Sequence, residues 1–105
     1  MIFQALIESA GKGELILING GFCRWHFRKN KQITILEIIS LKKGAGSQLL
    51  GVLKFRAREL KATSLFCKCP VSLPANDWYL RKGFIKEKKE ILKNGTEVNH
   101  WRYRL

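Results

Sequence analysis

The chain has 105 residues, enough for one domain with a hydrophobic core but not for a second independent unit, so we expect a single domain over residues 1–105. Its hydrophobic fraction of 46% is typical of a globular protein, and no apolar run approaches the roughly 18 residues that a membrane span needs. Lys and Arg number 20 against 8 Asp and Glu, and the resulting charge of +12 predicts an anionic partner: nucleic acid, an acidic protein or a polyphosphate cofactor.

The N-terminal segment predicts a short helix from Ile2 to Ala10. Its apolar residues recur at helical spacing, and the pattern ends before Gly11-Lys12-Gly13. The segment has neither a basic n-region nor a long apolar stretch, so we expect no signal peptide. A cytoplasmic protein without membrane contact is the corresponding expectation for location.

Three β-rich runs follow: Glu14 to Asn19, Phe22 to Arg28 and Gln32 to Ser40. The turn sequences Asn19-Gly20-Gly21 and Lys29-Asn30-Lys31 separate them, because glycine and asparagine accept positive φ. The third run is apolar on both faces, which is typical of a central strand covered on both sides. We therefore predict three successive antiparallel strands.

The next part of the chain predicts a strand-helix-strand crossover. From Gly46 the apolar residues follow the spacing of a long amphipathic helix, and Thr63 to Lys68 is the next β-rich run. The strands joined by such a crossover should be parallel and adjacent.

A short helix and a strand pair complete the pattern. We predict a helix from Leu73 to Lys82, because Ser72 suits the N-cap and Gly83 suits the position just past the end. The strands Phe84 to Ile91 and Glu97 to Leu105 lie on either side of Asn94-Gly95. The predicted fold class is α/β with a mixed sheet: antiparallel strands, a crossover and a C-terminal strand pair.

Three cysteines, Cys23, Cys67 and Cys69, are an odd number and lack the spacing of a zinc site. On a strand Cys67 and Cys69 share a face, so packed, reduced thiols are the better interpretation.

The junction from Ser40 to Ser47 combines the end of a strand, two lysines, two glycines and a helix N-terminus. The first helical amides have no partner within the helix, the dipole is positive there, and glycines allow close approach. This predicts a phosphate-binding site. A tight turn that simply needs glycine is the alternative.

Some 30 residues downstream stands Ala75-Asn76-Asp77-Trp78-Tyr79-Leu80-Arg81-Lys82-Gly83-Phe84. With this second segment the chain resembles the GNAT superfamily of acyl-coenzyme A dependent N-acyltransferases. That family has Arg or Gln-x-x-Gly-x-Gly or Ala at a helix start, matched by Lys42-Lys43-Gly44-Ala45-Gly46, and a short helix with Asn and Tyr that closes in Gly-Phe. The resemblance covers roughly residues 14–105 by element order and motif.

The resemblance implies that the amides of Lys43 to Ser47 hold the pyrophosphate of coenzyme A. The end of the third strand would splay from its neighbour and pair with the pantetheine arm, and Asn76 would contact the cofactor. Tyr79, a phenol, would donate a proton to the departing thiolate. The cofactor-binding residues so implied are Ile38, Ile39, Ser40, Lys42, Lys43, Gly44, Ala45, Gly46, Ser47 and Asn76.

Two departures from the family pattern bear on activity. Leu41 stands where the family usually has Arg or Gln, and Lys42 or Lys43 would supply the lost charge. The segment before the hairpin is also shorter than the family's strand and two helices. This shorter segment leaves three alternatives open: an open groove for a large acceptor, a homodimer that completes the site, or loss of catalysis.

Glu37 is the best candidate for a general base, because it precedes the cofactor-binding end of its strand among apolar neighbours. The alternative is an ion pair with a basic residue of an adjacent strand. His26 and His100 have weaker claims. We expect at least two of the three tryptophans to be packing residues.

These features predict an acetyl-CoA dependent N-acetyltransferase that moves an acetyl group directly to an unidentified amine acceptor, with Tyr79 and Glu37 as catalytic residues and no metal. Two alternatives stay open. One is a catalytically degenerate protein that binds coenzyme A or a partner chain. The other is a basic nucleic-acid-binding module, since the positive charge exceeds what one coenzyme A requires.

Overall fold

The computed structural model describes residues 2–105, which form helices and strands in the predicted order. The helices are α1 (Ile2–Gly11), α2 (Ala45–Glu59) and α3 (Ala75–Arg81). The strands are β1 (Leu15–Ile18), β2 (Gly21–Phe27), β3 (Gln32–Ser40), β4 (Ser64–Pro70), β5 (Ile85–Ile91) and β6 (Glu97–Arg104). None of the helices within residues 2–105 combines the length and apolar character needed to cross a bilayer.

The strands form one six-stranded mixed sheet in the order β1-β2-β3-β4-β6-β5. β3 and β4, joined through α2, are parallel, and every other neighbouring pair is antiparallel. The predicted α/β fold class and the crossover are confirmed. The sequence pattern did not predict that β6 lies between β4 and β5.

The two faces of the sheet differ. The face that packs against α2 and α3, here called the α2 face, carries the buried core, including Cys23, Trp25 and Trp101. On the opposite α1 face, α1 lies beside β1 and β2, while Leu36 of β3 is 45% exposed. The prediction that β3 is covered on both sides is therefore wrong, because α1 reaches only the edge of that face.

The three cysteine thiols are free and buried, as predicted. Gly83 has φ +92° just after α3, which is the conformation expected of a residue that ends a helix. Ser72 is not the N-cap of that helix. α3 begins after Pro74, which has helical dihedrals and no capping side-chain hydrogen bond.

Two irregularities of β3 shape the site. Its pairing with β2 shifts so that Arg24 faces Glu37 but Trp25 faces Ile35, and Leu36 is the extra residue of a bulge. Its pairing with β4 runs only as far as Thr34 opposite Phe66. From Ile35 to Ser40 the two parallel strands separate, so the expected splay is confirmed and a gap opens in the sheet.

We predict opposite effects for one substitution at two glycines. A Cβ at Gly21 would overlap the carbonyl oxygen of Ile39, whereas a Cβ at Gly51, on the exposed side of α2, meets no atom within 4 Å. Gly21→Ala should lower the free energy of unfolding by about 2 kcal/mol. Gly51→Ala should raise it by roughly 0.5–1 kcal/mol. Urea denaturation measures both, and equal effects would contradict the strand contact.

Candidate functional site

A cleft of about 440 Å³ lies between the start of α2, the end of β3 and α3. Both sequence segments that carried the family resemblance therefore border one space. The lining residues are Ile38, Ser40, Gly44, Gly46, Ser47, Pro74, Ala75, Trp78, Tyr79 and Arg81.

The start of α2 supplies hydrogen-bond donors to this cleft. Two of its first four amides are occupied, since Ala45 N–H donates to Lys42 O and Gln48 N–H to Gly44 O, each at 3.1 Å. The amides of Gly46 and Ser47 have no backbone acceptor within residues 2–105. With the positive end of the helix dipole behind them, these two donors have the arrangement that suits an anion.

The two glycines of this turn are required for different local reasons. Gly44 has φ +85°, a left-handed conformation that side chains disfavour. A Cβ at Gly46 would lie 3.1 Å from Cζ2 of Trp78, so α2 and α3 approach closely there. The tight-turn alternative and the binding hypothesis are thus compatible, because the same geometry leaves the amides uncovered.

The charged residues around the turn are distributed unevenly. The Lys42 ammonium is turned to the β1–β2 hairpin, where it donates to Asn19 Oδ1 at 3.2 Å, and Leu41 is exposed. Arg81 lines the cleft, a placement that we did not predict. Its position three residues after Trp78 on one helix was the available signal, since such residues share a face.

The end of β3 directs two further backbone donors away from β2. Leu41 N–H donates to Gly20 O at 2.7 Å, which makes this the hydrogen-bonded kind of antiparallel pair. By alternation Ile39 bonds with Phe22, while the amides of Ile38 and Ser40 face the gap beside β4. Of the three β3 residues expected to bind the cofactor, Ile38 and Ser40 line the cleft and Ile39 does not.

Tyr79 is buried, 6% exposed, with its ring stacked on Trp101 at a centroid distance of 6.3 Å. Burial above all, and then the neighbouring Cys67 thiol, raise the pKa of the Tyr79 hydroxyl above its ordinary value. The pKa of the Cys67 thiol is itself raised by burial to about 12. Tyr79 therefore stays protonated at neutral pH, as a proton donor must.

Asn76 does not line the cleft. Its side-chain amide instead donates two hydrogen bonds and accepts two within the protein. Its Nδ2 donates to Pro70 O and Leu73 O at 2.8 Å each. Its Oδ1 accepts from Asn99 Nδ2 and Trp101 Nε1 at 2.9 Å each. The side chain holds the β4–α3 loop against β6, which points to a structural role in place of the expected cofactor contact.

Glu37 forms the ion pair that was the alternative to a catalytic base. Its Oε1 accepts from Arg24 Nε at 3.0 Å, so its surroundings are not the apolar ones expected. The two histidines are likewise paired: His26 with Glu14 at 3.0 Å and His100 with Glu90 at 2.8 Å. Glu37, His26 and His100 are therefore all absent from the lining of the cleft.

The tryptophans divide as expected. Trp25 and Trp101 are buried core residues, each 4% exposed, and Trp78 forms a wall of the cleft.

Several solved structures share this fold. A protein described as a streptothricin acetyltransferase from Bacillus anthracis, in complex with acetyl coenzyme A, matches with a TM-score of 0.74 and 20% identity over 81% of this chain and 56% of its own. Nourseothricin acetyltransferase matches with a TM-score of 0.72 and 23% identity over 81% and 57%. A protein described as a GNAT-family acetyltransferase from Desulfovibrio desulfuricans matches with a TM-score of 0.77 and 14% identity, over 96% of this chain and 75% of its own.

The chain thus has the fold of the GNAT acetyltransferases, which confirms the resemblance at the level of fold. It spans less than two thirds of the first structures that it matches. No protein-family model and no curated protein sequence matches it.

We predict that Asn76→Ala lowers the free energy of unfolding by about 3 kcal/mol without any ligand present, because it leaves the buried Trp101 Nε1 without an acceptor. Ser72→Ala is the control. Since Ser72 makes no cap, its effect should stay within about 0.5 kcal/mol. Chemical denaturation of both variants measures this, and an unchanged stability for Asn76→Ala would return that residue to a binding role.

Proposed function

We propose that the protein is an acetyl-CoA dependent N-acetyltransferase that transfers the acetyl group directly to an amine. The observation that carries the proposal is that the free amides of α2, the unpaired end of β3 and Tyr79 all border one cleft. The acetyl coenzyme A bound by the streptothricin acetyltransferase structure of the same fold supports it.

The residues present fit such a cofactor. The amides of Gly46 and Ser47 suit a pyrophosphate, because they are donors without partners at a helix N-terminus. The amides of Ile38 and Ser40 suit the amide groups of a pantetheine arm, which would lie along β3 as an added strand does. Arg81 supplies a positive charge at the same cleft.

When bound, acetyl-CoA would supply an acetyl group activated as a thioester. Tyr79 would hold the proton at its hydroxyl oxygen until the sulfur leaves as a thiolate, and its raised pKa keeps that proton available. Whichever of the Ile38 and Ser40 amides does not bond to the pantetheine arm would stabilise negative charge on the carbonyl oxygen.

Deprotonation of the acceptor amine is assigned to Glu37, directly or through a water that it polarises. The support is its position at the bulge, three residues beyond the last β3–β4 pair. The ion pair with Arg24 favours a second candidate function, a protein that binds coenzyme A without transferring the acetyl group. The two functions differ in turnover and not in cofactor affinity.

Calorimetric titration tests the cofactor step. We expect acetyl-CoA to bind with a dissociation constant below about 100 µM. Gly46→Val should weaken binding at least tenfold, because its side chain meets Trp78 and covers the amides of α2. Gly51→Val, the same change on an open part of the same helix, should leave affinity within about twofold. No heat of binding to the unaltered protein would refute the proposal.

Tyr79→Phe tests the proton donor. We expect kcat to fall roughly a hundredfold with little change in acetyl-CoA affinity, since only the hydroxyl is lost. Tyr103→Phe is the matched control, because that ring packs under Lys54 outside the cleft. As the pKa of Tyr79 is raised, any loss of activity between about pH 8 and 10 should persist in Tyr79→Phe. A normal rate in this variant would remove Tyr79 from the mechanism.

A further inference from the structure

A second cavity of about 440 Å³ lies on the α1 face of the sheet, at the point where β3 and β4 separate. Arg28, Thr34, Phe66 and Lys68 are among its lining residues. Thr34 and Phe66 form the last β3–β4 pair, and by strand alternation their side chains project opposite to those of Ile35 and Cys67. This groove and the cleft therefore open onto the same gap from opposite faces.

Hydrogen bonds along this face have a fixed direction. The Arg102 guanidinium, a donor only, donates from Nη1 to Gln32 Oε1 at 3.0 Å, and its Nε is held by Glu87 at 2.8 Å. Gln32 must then present Nε2 to Thr34 Oγ1, at 3.0 Å. Arg28 Nε, again a donor only, also points at Thr34 Oγ1, at 2.9 Å.

The Thr34 oxygen thus receives two hydrogen bonds and keeps its own proton for a third partner. The described residues provide no acceptor for that hydroxyl and no carboxylate in an ion pair with Arg28. Two acids of this face are already engaged, Glu14 by His26 and Glu90 by Lys68. A third, Glu8, borders a neighbouring cavity together with Arg28 but forms no ion pair with it. One hydroxyl and the remaining guanidinium N–H groups are therefore left as donors at the groove.

Along the strand direction, the free donors lie close to Tyr79, the proposed proton donor. Tyr79, the proposed proton donor, has Cys67 beside its hydroxyl. Cys67 directly follows Phe66, the partner of Thr34. Along the strands the two levels are one residue apart, roughly 3.3 Å. A group held by Thr34 and Arg28 on the α1 face would thus lie across the strand layer from Tyr79, and an acceptor that extends through the gap would connect the two.

We propose that Arg28 and Thr34 form a carboxylate-binding subsite, and that the acceptor is an amine with a carboxylate a few bonds from its nitrogen. The proposal rests on the proposed function and names its substrate class. A guanidinium fork with an adjacent hydroxyl donor matches the planar geometry of a carboxylate. Such an acceptor enters from the α1 face, opposite the cleft of the acetyl donor.

The test compares pairs of amines in which a carboxamide replaces the carboxylate, with kcat/KM expressed per concentration of unprotonated amine. The pairs are β-alanine with β-alaninamide, for a small acceptor, and alanyl-aspartyl-alanine amide with its asparaginyl counterpart, for a peptide. For at least one pair we expect kcat/KM to be ten- to a hundredfold higher for the acid, the range for a hydrogen bond to a charged group. Arg28→Gln and Thr34→Val should each bring that ratio towards one.

Lys29→Gln is the control for charge alone, since it removes one positive charge beside Arg28 from an exposed side chain, and it should keep the ratio. Equal ratios in Arg28→Gln and the unaltered protein would overturn the subsite while leaving the transferase standing.

A binding readout keeps the subsite testable if no amine is acetylated. In protein without cofactor, the aspartyl peptide should shift the NMR signal of the Arg28 Nε–H, the asparaginyl peptide should not, and Thr34→Val should weaken the shift. If acetyl-CoA fails to bind but this shift is seen, the proposed function fails and the subsite stands. If neither the shift nor an acid preference appears, the subsite is wrong.

Discussion

The end of β3–β4 pairing at Thr34 and Phe66 is the constraint on which the rest of the site depends. Two parallel strands that separate leave the backbone donors and acceptors of their facing edges without strand partners. Here β2 holds β3 on one side and β6 holds β4 on the other along its whole length. The sheet therefore stays continuous in its outer pairings while its centre opens, and both cavities are products of that opening.

Side-chain contacts of the core form the walls of the cleft. The Asn76 amide ties the loop after β4 to two buried residues of β6, and Gly46 allows α2 to approach Trp78 of α3. Tyr79 then packs between Trp78, Phe84 and Trp101. Because core residues form the walls, the cleft exists without a ligand, and little conformational entropy would be lost on binding.

The parts of the structure that could be predicted from the sequence are those set by local chemistry. The helical spacing of α2, the hairpin glycines and the left-handed residue after α3 depend on neighbours along the chain, and their elements appear within a few residues of the expected bounds. The roles of Glu37 and Asn76 were not accessible in this way. A bulge opposite Arg24 decides the partner of Glu37, and Asn99 and Trp101, more than 20 residues away, decide the orientation of Asn76.

Trp78 has one more consequence. Its indole forms a wall of the cleft and is half-buried, whereas Trp25 and Trp101 are enclosed in the core. Indole fluorescence depends on the polarity around the ring, and a core ring keeps its surroundings when a ligand arrives. The protein therefore contains its own optical probe: a change in tryptophan emission reports events at the junction of α2 and α3, against a constant background from the interior.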